Sequence, residues 1–205
     1  FSERIKMVNK LKIFNNFNIP NKFKKSIILI GNFDGLHSGH QKLFELAKKY
    51  KTKYKSKVGV VTFDPIPKMF FNTKIKNYRI SNFNQKVIYL KKFGVDFVIN
   101  KKFDKNFSKI NYHKFIKDIL SRKLRSKFIF VSNNFRFGHK REGDVSQLKK
   151  YESDFGYNLI NPAPLMKNKK IISSTVIRKL LEEGKLLKAN TFLKRNWEIE
   201  GKVQR

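Results

Sequence analysis

Apolar residues along this chain fall into two alternating rhythms. Short, largely β-branched runs at Ser26–Ile30, Lys57–Phe63, Val95–Ile99 and Lys127–Val131 have the continuous apolar content of strands buried on both faces. Between them, apolar residues recur at helical spacing. Leu43, Phe44, Leu46 and Ala47 predict a helix over 38–50. Val87, Ile88, Leu90 and Phe93 predict another, capped by Ser81 and closed by Gly94, and a third is predicted around 111–123. Residues 1–25, rich in Lys, Asn and Phe and broken at Pro20, predict an edge strand or loop. Strand–helix alternation of this kind argues for α/β architecture with a parallel, doubly wound sheet. Right-handed crossovers then put the strand ends carrying Gly31, Asp64 and Ser132 on one rim, where such folds bind ligands.

Composition narrows the class. A length of 205 residues suits one α/β domain, or one domain plus part of a second, and 40% hydrophobic content with 21 Phe supplies a core. There is no cysteine, which excludes disulfides and thiolate metal sites and fits a cytoplasmic location. No apolar run approaches the ~20 residues of a membrane helix, so no membrane partner is expected. The first residues, Phe1-Ser2-Glu3-Arg4, are neither a signal peptide nor an initiator methionine, as in a fragment. The formal charge of +32 raises nucleic-acid binding. Lysines are scattered over every segment, however, and most Phe residues fall at core-type positions, so compositional drift is favoured and no nucleic acid is expected.

Three blocks carry candidate chemistry. The first, Gly31-Asn32-Phe33-Asp34-Gly35-Leu36-His37-Ser38-Gly39-His40, is a glycine-rich turn between a strand and a helix start. Free N–H groups and the helix dipole favour an anion there, and His37 and His40, three apart, share a helix face. The second is Ser132–Asp144, whose Asn134, Phe135, Arg136 and Phe137 suit a flat polar ring and a phosphate, or equally an ordinary polar loop. In the third, Ile171–Arg178, Ser173 or Ser174 caps a helix ending at Gly184, and Arg178 lies one turn in. His113 reads as a surface residue. A zinc reading of the His37/His40 pair is disfavoured, because Asp34 is the only carboxylate nearby.

Together, His37-Ser38-Gly39-His40 and Ile172-Ser173-Ser174-Thr175-Val176-Ile177-Arg178 resemble the nucleotidylyltransferase superfamily, which implies a Rossmann-like doubly wound parallel sheet. Gly31-Asn32-Phe33-Asp34-Gly35, Thr62-Phe63-Asp64-Pro65, Gly94-Val95-Asp96 and Asn134-Phe135-Arg136-Phe137-Gly138 are more specifically similar to the adenylyltransferase module of bacterial bifunctional FAD synthetases, from about Lys12 onward. Ile66 stands where the family usually has histidine, Ile171 where a basic residue is frequent, and Ser132 where glycine is common. The resemblance implies an adenylyltransferase domain over 12–194. It also implies a linker and first β-strand over 195–205, the stub of a missing riboflavin kinase domain.

That resemblance implies FAD synthesis: the phosphate of FMN attacks the α-phosphorus of ATP and pyrophosphate leaves, without a covalent enzyme intermediate. His37, His40, Ser174, Thr175 and Arg178 would be catalytic, and the histidines are expected to be protonated among phosphates. Gly31, Asn32, Phe33, Asp34, Gly35, Gly39 and Ser173 would bind ATP. Phe63, Pro65, Pro67, Asn134, Phe135, Arg136 and Phe137 would bind the flavin. Mg²⁺ would be held mainly by substrate phosphates, with no protein metal site. Two other readings remain: a nucleotidylyltransferase for a different phosphate acceptor, and a basic nucleic-acid-binding protein on a degenerate enzyme fold.

Overall fold

The predicted apolar runs pair into one sheet in the computed structural model, which describes residues 11–75, 78–167 and 170–201. Its strands are β1 (Lys12–Phe14), β2 (Ile27–Ile30), β3 (Val58–Asp64), β4 (Phe97–Lys102), β5 (Phe128–Phe130) and β6 (Asn158–Ile160). They lie in the order β1-β4-β3-β2-β5-β6, and every pairing is parallel. The central strand sets the register: Ile27 pairs with Val58 and Phe128, and Leu29 with Val60 and Phe130. From β2 the chain steps through β3 to β4, then crosses to the other side of β2 for β5 and β6. That reversal opens a crevice at the carboxyl ends of β2 and β5, where doubly wound sheets take ligands.

Alternate residues of each strand feed two separate apolar layers. Ile27 and Leu29 pack with Leu43, Phe44 and Ala47 of α1 (Ser38–Tyr54) and with Val87 and Leu90 of the helix over Phe83–Lys92 on the same face. That last helix is α3, and a short α2 (Pro67–Phe71) precedes it in the chain. Ile28 and Ile30 face the opposite layer, with Ile116 and Leu120. There a short α4 (Lys105–Ser108) precedes α5 (Tyr112–Lys114), which runs directly into a π-helix at Phe115–Lys123. The edge strand expected within 1–25 is β1; residues 1–10 lie outside the described residues.

Several boundaries differ from expectation. The cap of α3 is Asn82, not Ser81: Asn82 accepts from the Gln85 N–H while the Gln85 side chain accepts from the Asn82 N–H. This reciprocal box satisfies two otherwise orphaned donors, which a lone serine cannot do. The strand expected at 95–99 begins at Phe97 and continues to Lys102, and the helix of 38–50 runs on to Tyr54. Five elements carry too little periodicity to be foreseen: α6 (Val145–Lys150), α7 (Glu152–Phe155), β6 and the antiparallel two-residue strands β7 (Met166–Lys167) and β8 (Lys170–Ile171).

The chain ends in α8 (Ser174–Glu182) and α9 (Leu186–Leu193), joined through Gly184 at φ +68°. Ile80, Ile177, Leu180, Ala189 and Leu193 form a third apolar cluster with Trp197 against it. Trp197 Nε1 donates to the Ile80 carbonyl at 2.9 Å, so the segment read as a linker is seated on the domain. Residues 195–201 form no strand, and 202–205 lie outside the described residues. Among the described residues no helix is long and apolar enough to cross a membrane.

Gly59 of β3 lies opposite Phe97 of β4, and a Cβ there would overlap the Phe97 ring. Gly59→Ala is therefore expected to cost about 1–3 kcal/mol in urea unfolding. Adding Phe97→Leu should recover part of that loss, and an undiminished midpoint in the single variant would contradict the packing described.

Candidate active site

Folding of the first block begins at the end of β2, where the Gly31 N–H still donates to Val61 at 3.1 Å. The chain then turns sharply, with positive φ at Phe33, Gly35 and Leu36. Gly35 is required at its position, since φ is +77° and a Cβ would come within 2.9 Å of Ile80. His37 is the N-cap residue of α1, and the rings of His37 and His40 stack with centroids 3.7 Å apart and planes 24° apart. The Phe33 ring meets His40 edge-on at 5.3 Å. As at any helix start, the first N–H groups of α1 lack intrahelical partners.

Both imidazoles are neutral in this arrangement. Burial pushes the His37 pKa down to about 4, with Arg178 and Arg195 adding repulsion. Burial also drives His40 well below its ordinary value, helped by His37 and Lys86. Neither Nδ1 has a hydrogen-bond partner. Protonation is expected only among phosphates; the protein's own contribution, desolvation and neighbouring cations, works against a proton on either ring.

Asp34 is buried, at 2% exposure, and its carboxylate is fully engaged within the protein. It accepts from the Ile80 N–H at 3.0 Å, from the Ser81 N–H at 3.3 Å and from Arg178 Nη2 at 2.7 Å. Its carbonyl accepts from Ser174 Oγ at 2.9 Å. Arg178 Nε in turn donates to the Tyr78 carbonyl at 2.8 Å, with the guanidinium 3.7 Å above the Tyr78 ring. Ser173 caps α8, accepting from the Val176 N–H, while Thr175 is exposed. A Cβ on Gly39 would approach the Ile172 carbonyl to 3.4 Å, so the Ser173–Arg178 block and the histidine turn adjoin.

The second block follows β5, a neighbour of β2 in the sheet. Phe135 and Phe137 stack at 5.4 Å, and Phe137 is buried and doubly hydrogen-bonded to Gly143. Ser132 Oγ donates to Asn134 Oδ1 at 2.9 Å, and Arg136 pairs with Asp144 at 2.6 Å. Asn134, Phe135 and Arg136 line an open cleft of about 850 Å³. On the other side of β2, Phe63 packs against Phe107, Pro65 follows Asp64 through a cis peptide, and Pro67 begins α2. Ile66 is buried as the residue capping α2, Asp64 pairs with Arg79, and Ile171 is exposed.

Three side chains at the site escaped the sequence reading. Lys86 was hidden inside an apolar helical period. Gln41 Nε2 donates to both Leu36 and Leu193 carbonyls at 2.9 Å, binding the histidine helix to the end of α9. Arg195, assigned to a linker, lies over the Tyr89 ring at 4.1 Å and donates to Ser81 Oγ at 3.3 Å. A basic residue just past a helix end gives no sequence signal of such a contact.

A protein-family model described as FAD synthetase matches residues 19–176. A bifunctional riboflavin kinase/FMN adenylyltransferase of Buchnera aphidicola subsp. Acyrthosiphon pisum is 40% identical over 186 residues, 91% of this chain and 59% of that protein. Its namesake in Escherichia coli (strain K12) is 34% identical over 177 residues, covering 86% of this chain and 56% of its own. The chain therefore spans less than two thirds of the length of these relatives. A crystal structure described as a macrolide-efflux protein from Streptococcus pneumoniae aligns with TM-score 0.79 and 26% identity, over 91% of this chain and 72% of that one.

Because His37 is held near 4, against ~6.5 in an unfolded chain, the unfolded state binds the extra proton between those values. Stability is complete above about pH 6.5 and falls as the pH drops towards 4, by up to about 3 kcal/mol from this group. Urea unfolding across that range should show a shallower slope for His37→Gln than for the unaltered chain.

Proposed function

The chain belongs to the FAD synthetase family, and on that premise we propose that its histidine turn transfers the adenylyl group of ATP to the phosphate of FMN. The observation that carries this reading is the stacked His37/His40 pair at the start of α1, which follows β2, a sheet neighbour of the strand that leads into the Asn134 loop. A phosphate oxygen of FMN forms a new bond to the α-phosphorus in line. The bond from that phosphorus to the bridging oxygen breaks, and pyrophosphate leaves with the electron pair. Such a displacement needs positioning and charge stabilisation rather than a protein nucleophile.

His37 and His40 donate to the α-phosphoryl oxygens on which charge builds, and approach of the phosphates raises their proton affinity. The backbone of Gly31, Asn32, Phe33, Gly35 and Gly39 closes around the nucleotide, with the side chains of Phe33 and Asp34 supporting the turn from inside. Ser173, Ser174 and Thr175 face the departing β- and γ-phosphates. Arg178 serves them mainly by fixing Asp34, since two of its nitrogens are already engaged. Asn134, Phe135 and Arg136, together with Phe63, Pro65 and Pro67 at and after the end of β3, receive the flavin, and Phe137 stacks on Phe135.

No cluster of three or more His, Asp or Glu side chains suited to a metal occurs among the described residues, and the Asp34 carboxylate is committed. This donor set fits Mg²⁺ carried on ATP phosphates and water, with no side-chain cage. Bound that way, the ion neutralises phosphate charge. Riboflavin phosphorylation, the other activity in the relatives' name, is not assigned to this chain. Small soluble substrates and a cysteine-free chain fit the cytoplasm, and the scattered lysines draw anionic substrates rather than a nucleic acid.

Incubated with FMN, ATP and Mg²⁺, the protein should release FAD and pyrophosphate in equal amounts. His40→Ala should lower the rate about 10²- to 10³-fold. A folded, FMN-binding sample that makes no FAD would refute the reading, and pyrophosphate release with another phosphate acceptor would redirect it.

A further inference from the structure

Lys86 is 6% exposed, in the middle of α3 on its inward face. Burying an ammonium costs several kcal/mol unless its surroundings compensate, so its contacts point to its role. Among the described residues no carboxylate lies within ion-pairing distance of it. Instead Nζ donates to the carbonyl of Asn32 at 2.8 Å and to Thr62 Oγ1 at 3.3 Å. Thr62 Oγ1 donates to the same carbonyl at 3.3 Å, which closes a triangle behind the turn. A full charge is thus directed at one backbone oxygen, in the peptide that precedes Phe33 at φ +46°.

That peptide is planar and trans, so its carbonyl and its N–H point in opposite directions. We propose that Lys86 is a positioning residue of the adenylyl-transfer site: by holding the Asn32 carbonyl inward, it turns the Phe33 N–H of the same peptide outward as a phosphate donor. The proposal rests on the reading of the histidine turn as the nucleotide site. The turn makes this device necessary. Gly31 is the last residue still bonded to the sheet, and Asp34 the first one tied to α8, so peptide 32–33 has no strand or helix to fix its orientation. Ion-pairing Lys86 to a carboxylate would neutralise it; here Asp34, Asp64 and Arg79 act on it only at longer range, and burial lowers its pKa to about 8. It remains a cation at neutral pH. Its charge, alongside His37 and after burial, also works against a proton on His40.

The test follows the Phe33 amide signal by ¹H–¹⁵N NMR as a non-hydrolysable ATP analogue with Mg²⁺ is added, with the His37 and His40 ring signals recorded in the same samples. In the unaltered protein the Phe33 amide proton should move downfield together with the ring signals. If the rings respond and the Phe33 amide does not, the proposal falls while the adenylyltransferase reading stands. If neither responds, both fall. Lys86→Met should abolish the Phe33 response and lower kcat about 10- to 100-fold, with KM for FMN within about twofold. Lys86→Arg, which keeps a charged donor, should restore part of kcat. A folded Lys86→Met protein with unchanged kcat and an unchanged Phe33 response would overturn the assignment. A lysine that served stability alone would lower the unfolding midpoint and leave both readouts in place.

Discussion

The carboxylate of Asp34 gathers three stretches of chain that are far apart in sequence: the turn after β2, the segment entering α3, and the first turn of α8. Its oxygens take the Ile80 and Ser81 N–H groups and the Arg178 guanidinium, while its carbonyl takes Ser174 Oγ. A carboxylate this deeply buried is tolerable only because each lone pair meets a donor and the counter-charge is adjacent. Removing either partner would strand the other in a medium that cannot solvate it, at a cost of about 3–5 kcal/mol. The pair therefore selects one conformation of the turn, and the positions of both histidines follow from it.

Around that anchor the charges are arranged with a surplus of cations. Arg178, Arg195 and Lys86 all act on the imidazole pair, and each disfavours a proton there. The same cations attract phosphate, so the feature that keeps the rings neutral also draws the group that would change them. Nothing has to reorganise for this field to act, which is the property that makes fixed dipoles and charges effective on a developing negative charge. The net charge of +32 strengthens the attraction without determining where it is focused. That focus comes from the turn and from the crevice beside it.

Much of this was legible in the residues. Strands buried on both faces declare themselves by continuous β-branched runs, and β2, β3 and β5 appear within a residue or two of their predicted limits. The glycine–histidine turn is legible for a different reason, because few sequences need three glycines and two histidines in ten positions. What escaped detection has a common cause. Lys86 lies between Gln85 and Val87 in a helix whose inward face could be inferred only from its apolar members. Arg195 and Gln41 act through carbonyls and rings more than a hundred residues away, and no local pattern encodes such a contact. The short elements after β5 fail for lack of length: three residues of β6 give too few alternations to read. Asp34 is expected among the ATP-binding residues, and no local pattern shows that its carboxylate is directed into the protein, onto the Ile80 and Ser81 N–H groups and Arg178.

The stacked rings of His37 and His40 carry a further consequence, which concerns freedom rather than charge. Two imidazoles lying face to face at 3.7 Å cannot turn independently, since rotating one about its Cβ–Cγ bond would drive its edge into the other. Phe33 closes the remaining side of His40. The pair thus behaves as a single rigid plate, whose remaining variable is which nitrogens carry hydrogen. An incoming anion does not have to immobilise two side chains, and the entropy of ordering them, up to about 1.5 kcal/mol for each freely rotating side chain, was lost when the chain folded.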